Sequence, residues 1–373
     1  MNTIYAKIKE KVLQWKQEEN IKAVVIEDSE AKRESALRYL CGLPSDGILI
    51  ITDTGKTILC PWDENLAKLV AFADKIIPFT KYDRQSLKAI KDILRILKVK
   101  EQSRVEISEY TPYPQFLHYV DELQKYTIVC REKGFTQAIA QFRQQKDEFE
   151  IEIIKKAAHI TDTIINNLEE NLRSGKLITE TDVALFIEKK ARENDCEGTS
   201  FETLAAGPSR SYGIHAFPSY TNAPFLEQGL SILDFGVKYQ WYCSDVTVTF
   251  AKGPLSQEQE KQLELVETAY NEALKLYEKD VPLSIPALKA QEIFAKAKRS
   301  MPHSLGHGIG LEIHEAPFVR VAATKDAVFK TGMVVTLEPG LYDLSIGGCR
   351  LENDILITEE GNEVLTHSRI IRL

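Results

Sequence analysis

Residues 231–250, SILDFGVKYQWYCSDVTVTF, read as two short strands joined by a hairpin. In the first, 231–236, Ile232 and Leu233 run into Asp234. The second, 244–250, alternates strictly: Asp245, Thr247 and Thr249 point one way, Val246, Val248 and Phe250 the other. Two aspartates therefore sit on adjacent strands that look half or fully buried. An unpaired buried carboxylate is costly, and two on one small hairpin repel each other. A shared cation resolves that conflict. A cap on one aspartate and a surface lysine on the other would also resolve it, and the hairpin alone does not choose.

Three further stretches bear on the choice. Residues 301–317, MPHSLGHGIGLEIHEAP, hold three of the seven histidines, and Gly306, Gly308 and Gly310 around His307 allow close approach of backbone and side chains. Residues 334–338, VVTLE, form an expected strand with Thr336 and Glu338 on one face, stopped by Pro339-Gly340. Residues 350–358, RLENDILIT, form another, with Arg350, Glu352 and Asp354 on one face. Asp234, Asp245, Glu338 and Glu352 are thus four carboxylates beside apolar strand residues, accompanied by one glycine-flanked imidazole. That donor set suits Mn²⁺, Co²⁺, Fe²⁺ or Zn²⁺ and not a thiolate-preferring metal. It exceeds the needs of one ion. Two divalent ions ~3.5–4 Å apart would satisfy it, acidify a bridging water and orient an amide carbonyl for C–N hydrolysis.

The remainder is compatible with that chemistry. A chain of 373 residues has room for two domains. A net charge of −8 without a basic, aromatic-laced stripe argues against nucleic acid as partner. No apolar run approaches the ~18 residues that span a bilayer, and the first residues read as an amphipathic helix over 4–19, not a signal peptide. Cys41, Cys60, Cys130, Cys196, Cys243 and Cys349 are scattered, which suggests free thiols and the cytoplasm. Residues 1–133 read as an α/β unit with strands at 23–27, 47–52, 57–59, 75–79, 104–107 and 126–130 and helices at 83–98 and 113–125; His118 there is read as structural. A junction at 134–146 leads into a helix over 147–172, in which His159 is also structural, and a second helix to 194 capped by Thr179 or Thr181. A strand at 201–206 precedes the loop GPSRSYGIHAFPSYTNAP, which contains His215 and has the composition of a functional loop. Helices are expected at 257–279 and 285–299.

ILDFG, SDVTVTF, HSLGHGIGLEIHE, TLEPG and RLEND, in this order, resemble the motifs of the pita-bread metallopeptidases, which include prolidases, Xaa-Pro aminopeptidases and methionine aminopeptidases. GIHAFPS resembles that family's substrate-histidine loop. LRYLCGLPSDGILIIT resembles the smaller domain of the prolidase, Xaa-Pro aminopeptidase and creatinase branch, and QFRQQKDEFEIEIIKKA its junction into the catalytic domain. The resemblance implies an α+β fold: a catalytic pita-bread domain at 147–373 behind a smaller N-terminal α/β domain at 1–133. It implies Asp234, Asp245, His307, Glu338 and Glu352 as ligands of two divalent ions, Mn²⁺ first among them, with Asp245 and Glu352 bridging. It further implies Glu338 as proton shuttle for a metal-bridged hydroxide, His215 and His314 as substrate-holding groups, His303 as a pocket residue and Arg350 as an orienting neighbour of Glu352. The implied substrates are Xaa-Pro dipeptides or short Xaa-Pro peptides, and the implied assembly is a homodimer. One departure stands out: where the family commonly has arginine in D-x-T-R-T, this chain has Val248. A metal-free C–N hydrolase of the creatinase type and a non-enzymatic binding module share the fold; an eroded ligand set would mark either, and here all five positions are present.

Overall fold

The structure, a computed structural model, describes residues 9–14, 20–30 and 32–373. Two compact units divide the chain, Met1–Phe142 and Arg143–Leu373. Of the helix expected over 4–19, residues 9–14 are helical and the rest lie outside the described residues. No described helix is long and apolar enough to cross a membrane.

The first unit is built on a six-stranded sheet: β1 (Ala23–Asp28), β2 (Gly47–Thr52), β3 (Thr57–Pro61), β4 (Lys75–Ile76), β5 (Arg104–Ile107) and β6 (Thr127–Val129), in the order β4-β3-β2-β1-β5-β6. β2 and β3 are apolar runs, not alternations, and are buried along their whole length, as strands covered on both faces should be. The helix Ser86–Ile96 buries Ala89, Ile90, Ile93 and Leu94 at helical spacing. His118, on the helix Tyr113–Glu122, is exposed. The stretch 134–146 contains the helix Phe135–Gln144.

The second unit opens on the helix Glu148–Arg173. Asp147 caps it, and Asp147 and Glu150 exchange the reciprocal bonds of a capping box. Thr179, not Thr181, caps the next helix, Glu180–Glu193, by the same device with Asp182. The strands that follow are β7 (Gly198–Thr199), β8 (Leu204–Ala206), β9 (Gly229–Phe235), β10 (Val237–Tyr239), β11 (Tyr242–Cys243), β12 (Val246–Lys252), β13 (Gly306–Gly308), β14 (Glu315–Val319), β15 (Val334–Leu337), β16 (Gly340–Asp343), β17 (Gly347–Arg350), β18 (Asn353–Ile357), β19 (Asn362–Val364) and β20 (Ile370–Arg372). One sheet runs β20-β12-β9-β8 and another β14-β13-β15-β18-β19. Ile164, Leu168 and Ile187 of the first helix pair pack with Leu233, Phe235, Val248 and Phe250 of the first sheet. A second pair, Gln257–Leu274 and Ser284–Lys296, packs Leu263, Val266, Ala290 and Phe294 against Val335, Leu337 and Ile355 of the other sheet. Each sheet thereby spends its apolar residues on its helix pair. Polar residues stay on the face where Thr247 and Glu352 bridge from one sheet to the other.

Four expected elements of the second unit differ. The strand expected at 201–206 is paired only over Leu204–Ala206. The helices expected at 257–279 and 285–299 end earlier, at Leu274 and Lys296. The strand expected at 350–358 is interrupted: β17 ends at Arg350 and β18 starts at Asn353, because Glu352 leaves the ladder to pair with Thr247 of the other sheet. All six cysteines are free thiols.

Candidate active site

The aspartate hairpin forms by a specific turn. β9 and β12 pair antiparallel with Asp234 opposite Thr247. Between them β10 and β11 make a tighter ribbon whose turn residues, Gln240 and Trp241, both have positive φ, 46° and 74°, the geometry that matches the twist of a two-residue hairpin. Asp245 lies one residue before β12, so its side chain shares a face with Thr247. Across this junction Gly236 passes so close to the Ser244 carbonyl that a Cβ could not fit.

His307 arrives from the other sheet. β13 is squeezed between β14 and β15, and a Cβ on Gly306 would collide with the Thr336 carbonyl. The Gly306→Ala variant is therefore expected to lose about 1–3 kcal/mol of stability by overpacking against backbone, read as a lower urea midpoint at unchanged m-value. Thr336 Oγ1 accepts the His307 backbone N–H at 3.1 Å, and the β13–β14 register shifts between His307 and Gly308. Its Nε2 lies 3.6 Å from Asp245 Oδ2 and 3.6 Å from Glu338 Oε1. Glu338 follows directly on β15.

Asp245, His307 and Glu352 each present a ligand atom within 4.8 Å of the others, and all three are buried. Asp234 and Glu338 line the same cavity of about 450 Å³, together with His215, His303, His314 and Arg350. The structure thus brings every residue named from the sequence as a site candidate to one place. Seven of these groups are perturbed, the four carboxylates upward and three of the imidazoles downward. Burial, then the charge of neighbouring carboxylates, holds Asp245 and Glu338 well above the usual carboxylate range, and burial with Asp234 beside it pushes Glu352 up to about 8. Asp234 is raised by burial despite its arginine partner. Burial lowers His303 and His307 to about 4 and also lowers His314. Burial disfavours the charged form of both group types, and the carboxylates disfavour one another's ionisation further.

The carboxylates are held in place by a network that reaches across the sheets. Arg350 Nε donates to Thr247 Oγ1 at 2.8 Å, and that hydroxyl donates to Glu352 Oε2 at 2.6 Å. Arg350 Nη2 donates to Asp234 Oδ2 at 2.5 Å and Nη1 to the Tyr342 hydroxyl at 2.6 Å. Tyr342 in turn lies 3.0 Å from His303 Nε2, while His303 Nδ1 faces the Ser304 carbonyl at 2.8 Å. A carbonyl only accepts, so Nδ1 carries the proton and Nε2 accepts from Tyr342. Both His303 nitrogens are thereby engaged within the protein. The His314 ring stands edge-on to His307 with centroids 4.4 Å apart.

Three buried oxygens at or beside the cluster, Asp234 Oδ1, Asp245 Oδ1 and Asp354 Oδ1, have no hydrogen-bond partner among the described residues. Orphaned buried carboxylate oxygens beside an imidazole form a donor set that fits divalent cations. Three contributors had not been singled out from sequence: Thr247, Tyr342 and Asp354. The carboxylate of Asp354 accepts the Asp245 backbone N–H at 2.9 Å. Alternation had put Thr247 on the Asp245 face and Asp354 on the Glu352 face, which was the available signal; for Tyr342 there was none. Val248, in the place where arginine was expected, is fully buried among Leu233, Phe235 and Phe250, away from the carboxylates.

A model of metallopeptidase family M24 matches residues 152–359. The Xaa-Pro dipeptidase of Pyrococcus horikoshii is 31% identical over 98% of this chain and 98% of its own. Among solved structures, the X-Pro aminopeptidase of Thermotoga maritima superposes with a TM-score of 0.83 at 27% identity, covering 98% of this chain and 99% of that one. The recombinant prolidase of Thermococcus sibiricus gives 0.84 at 26% identity, covering 99% of each.

Proposed function

Because the chain belongs to metallopeptidase family M24, we propose that its Arg143–Leu373 unit is a catalytic domain that releases an N-terminal residue from a following proline. The observation that carries the reading is the buried trio Asp245, His307 and Glu352, with ligand atoms within 4.8 Å, at the floor of a cavity large enough for a short peptide. Residues 1–133 are read as the accessory α/β domain and 134–146 as the junction.

Asp234, Asp245, His307, Glu338 and Glu352 would hold two divalent ions, with Asp245 and Glu352 shared between them. Manganese is the proposed metal; cobalt, zinc and iron suit the same donors. When bound, the ions acidify a water and polarise the scissile carbonyl. The protein's own groups do the rest. Glu338, 3.6 Å from His307 Nε2, accepts a proton from the attacking water and returns it to the departing proline nitrogen. His215 and His314, on the cavity wall, donate to the substrate carbonyl oxygen as charge grows there. Arg350 fixes Asp234 directly and Glu352 through Thr247. His303, with both nitrogens engaged, shapes the pocket. Phe201, Leu204, Ile214 and Phe318 give the cavity an apolar wall suited to a pyrrolidine ring. Xaa-Pro dipeptides and short Xaa-Pro peptides are the proposed substrates, the cytoplasm the proposed setting and a homodimer the proposed assembly.

The test is a panel of Xaa-Pro, Xaa-Pro-Yaa and Xaa-Ala peptides with Mn²⁺ or Co²⁺. Cleavage should be confined to proline peptides, stop on chelation and resume with metal. Silence across the panel would favour a binding module, and turnover indifferent to chelation a metal-free hydrolase. The complete ligand set supports neither.

A further inference from the structure

His215 is the one proposed substrate-holding group on a long irregular segment, yet the segment is not loosely tethered. Both of its ends converge on a single carboxylate. Glu180, the first residue of the helix Glu180–Glu193, is fully buried. Its Oε1 accepts the Gly207 backbone N–H at 2.8 Å. Its Oε2 accepts the Thr221 N–H at 2.7 Å and the Thr221 hydroxyl at 2.6 Å, and also pairs with Arg210. Arg210 extends from Glu180 to the Pro218 carbonyl inside the loop. One side chain thus ties Gly207, Arg210 and Thr221, and His215 stands midway between the tied ends.

The chemistry suits this task. A carboxylate has about four acceptor positions, so it can close a loop by itself where a neutral side chain could not. Its place in the first turn of a helix favours negative charge, and Arg210 neutralises it. Burial makes each bond expensive to lose, because a stranded N–H gains no water in exchange. At the loop's inner edge, Arg350 Nη1 donates to the Ile214 carbonyl at 3.2 Å. The residue before His215 is thereby joined to the arginine that holds Asp234.

We propose that Glu180 is the positioning residue of His215, closing the base of the 207–221 loop so that the imidazole stays at the cavity wall. This rests on the reading of His215 as a substrate-holding group. Because Glu180 acts through another residue, its effect is expected to vanish when that residue is gone. Glu180→Gln should lose ~10-fold or more in kcat/KM on an Xaa-Pro peptide, with Mn²⁺ binding unchanged by calorimetry. In a His215→Ala background the same change should cost less than about 2-fold. Independently of activity, amide hydrogen exchange should quicken across 207–221 in Glu180→Gln while the β9 and β12 amides keep their protection. Equal losses in both backgrounds, or exchange unaltered at 207–221, would overturn the proposal. If Glu180→Gln does not fold, Arg210→Met and Thr221→Val each remove one strand of the tie and go through the same cycle and exchange measurement. A wild-type protein inert toward proline peptides would refute the functional reading alone, since exchange still decides whether Glu180 closes the loop.

Discussion

Replacing His307 with alanine is expected to reduce metal-dependent turnover by ~10³-fold or more, the scale of several kcal/mol of lost electrophilic stabilisation. His307 is the one nitrogen donor in the cluster and sits between two acids, 3.6 Å from Asp245 and 3.6 Å from Glu338. Burial keeps it neutral, with a pKa of about 4, so no proton has to be expelled before it can bind a cation. Its Nδ1 lies 3.2 Å from the Gly308 carbonyl, which fixes the tautomer and leaves Nε2 as the free donor atom. Without the imidazole, the buried trio keeps only its two carboxylate donors, Asp245 and Glu352. Kinetics at saturating Mn²⁺, together with calorimetric counting of bound metal, measure the effect. Wild-type turnover in the variant would remove His307 from the ligand set and with it the present account of the site.

The second large effect concerns the metal-stripped protein. Glu352 is raised from 4.5 to about 8, and Asp245 and Glu338 are raised as well. The folded chain therefore holds protons that the unfolded chain has released, and stability falls as pH rises through that interval. The buried histidines act in the opposite sense. His303 and His307 drop from 6.5 to about 4, so the unfolded chain binds their protons first and stability rises with pH across that lower range. The two trends overlap below 6.5; between 6.5 and about 8 only the carboxylate loss operates. In EDTA the melting temperature should drop over this upper interval by roughly 3–5 °C, the equivalent of a few kcal/mol in a chain of this size. With Mn²⁺ the drop should disappear, and titration with metal should release protons. A melting temperature in EDTA that stays level or climbs through the interval would show that the carboxylates ionise without strain, contrary to their packing.

Much of the site could be read from the chain because buried acids are conspicuous. Asp234 after Ile232 and Leu233, and Glu338 after Val334 and Val335, are charges where apolar residues belong, and such violations mark function. The apolar periodicity likewise placed the helix that carries Ile164. What the sequence could not carry was proximity between distant segments. Nothing in RLEND says that Glu352 leaves its strand to meet Thr247, so a continuous strand was expected and two were found. Nothing in YDLSIGG marks Tyr342 as the link between Arg350 and His303. Glu180 stands in a first helical turn as many acidic residues do; its bonds to Gly207 and Thr221 depend on how the chain returns 27 and 41 residues later.

The bridge from Thr247 to Glu352 has a consequence for how the molecule comes apart. One side of the cluster is supplied by residues 234–247 and the other by 307–352, so neither half-sheet contains a complete coordination shell. Any cation held there works as a clasp across the seam, absent until both halves have docked and lost as soon as either peels away. Metal release is then a clock for opening of that seam, and a chelator that captures freed ions would time the event without any label on the protein.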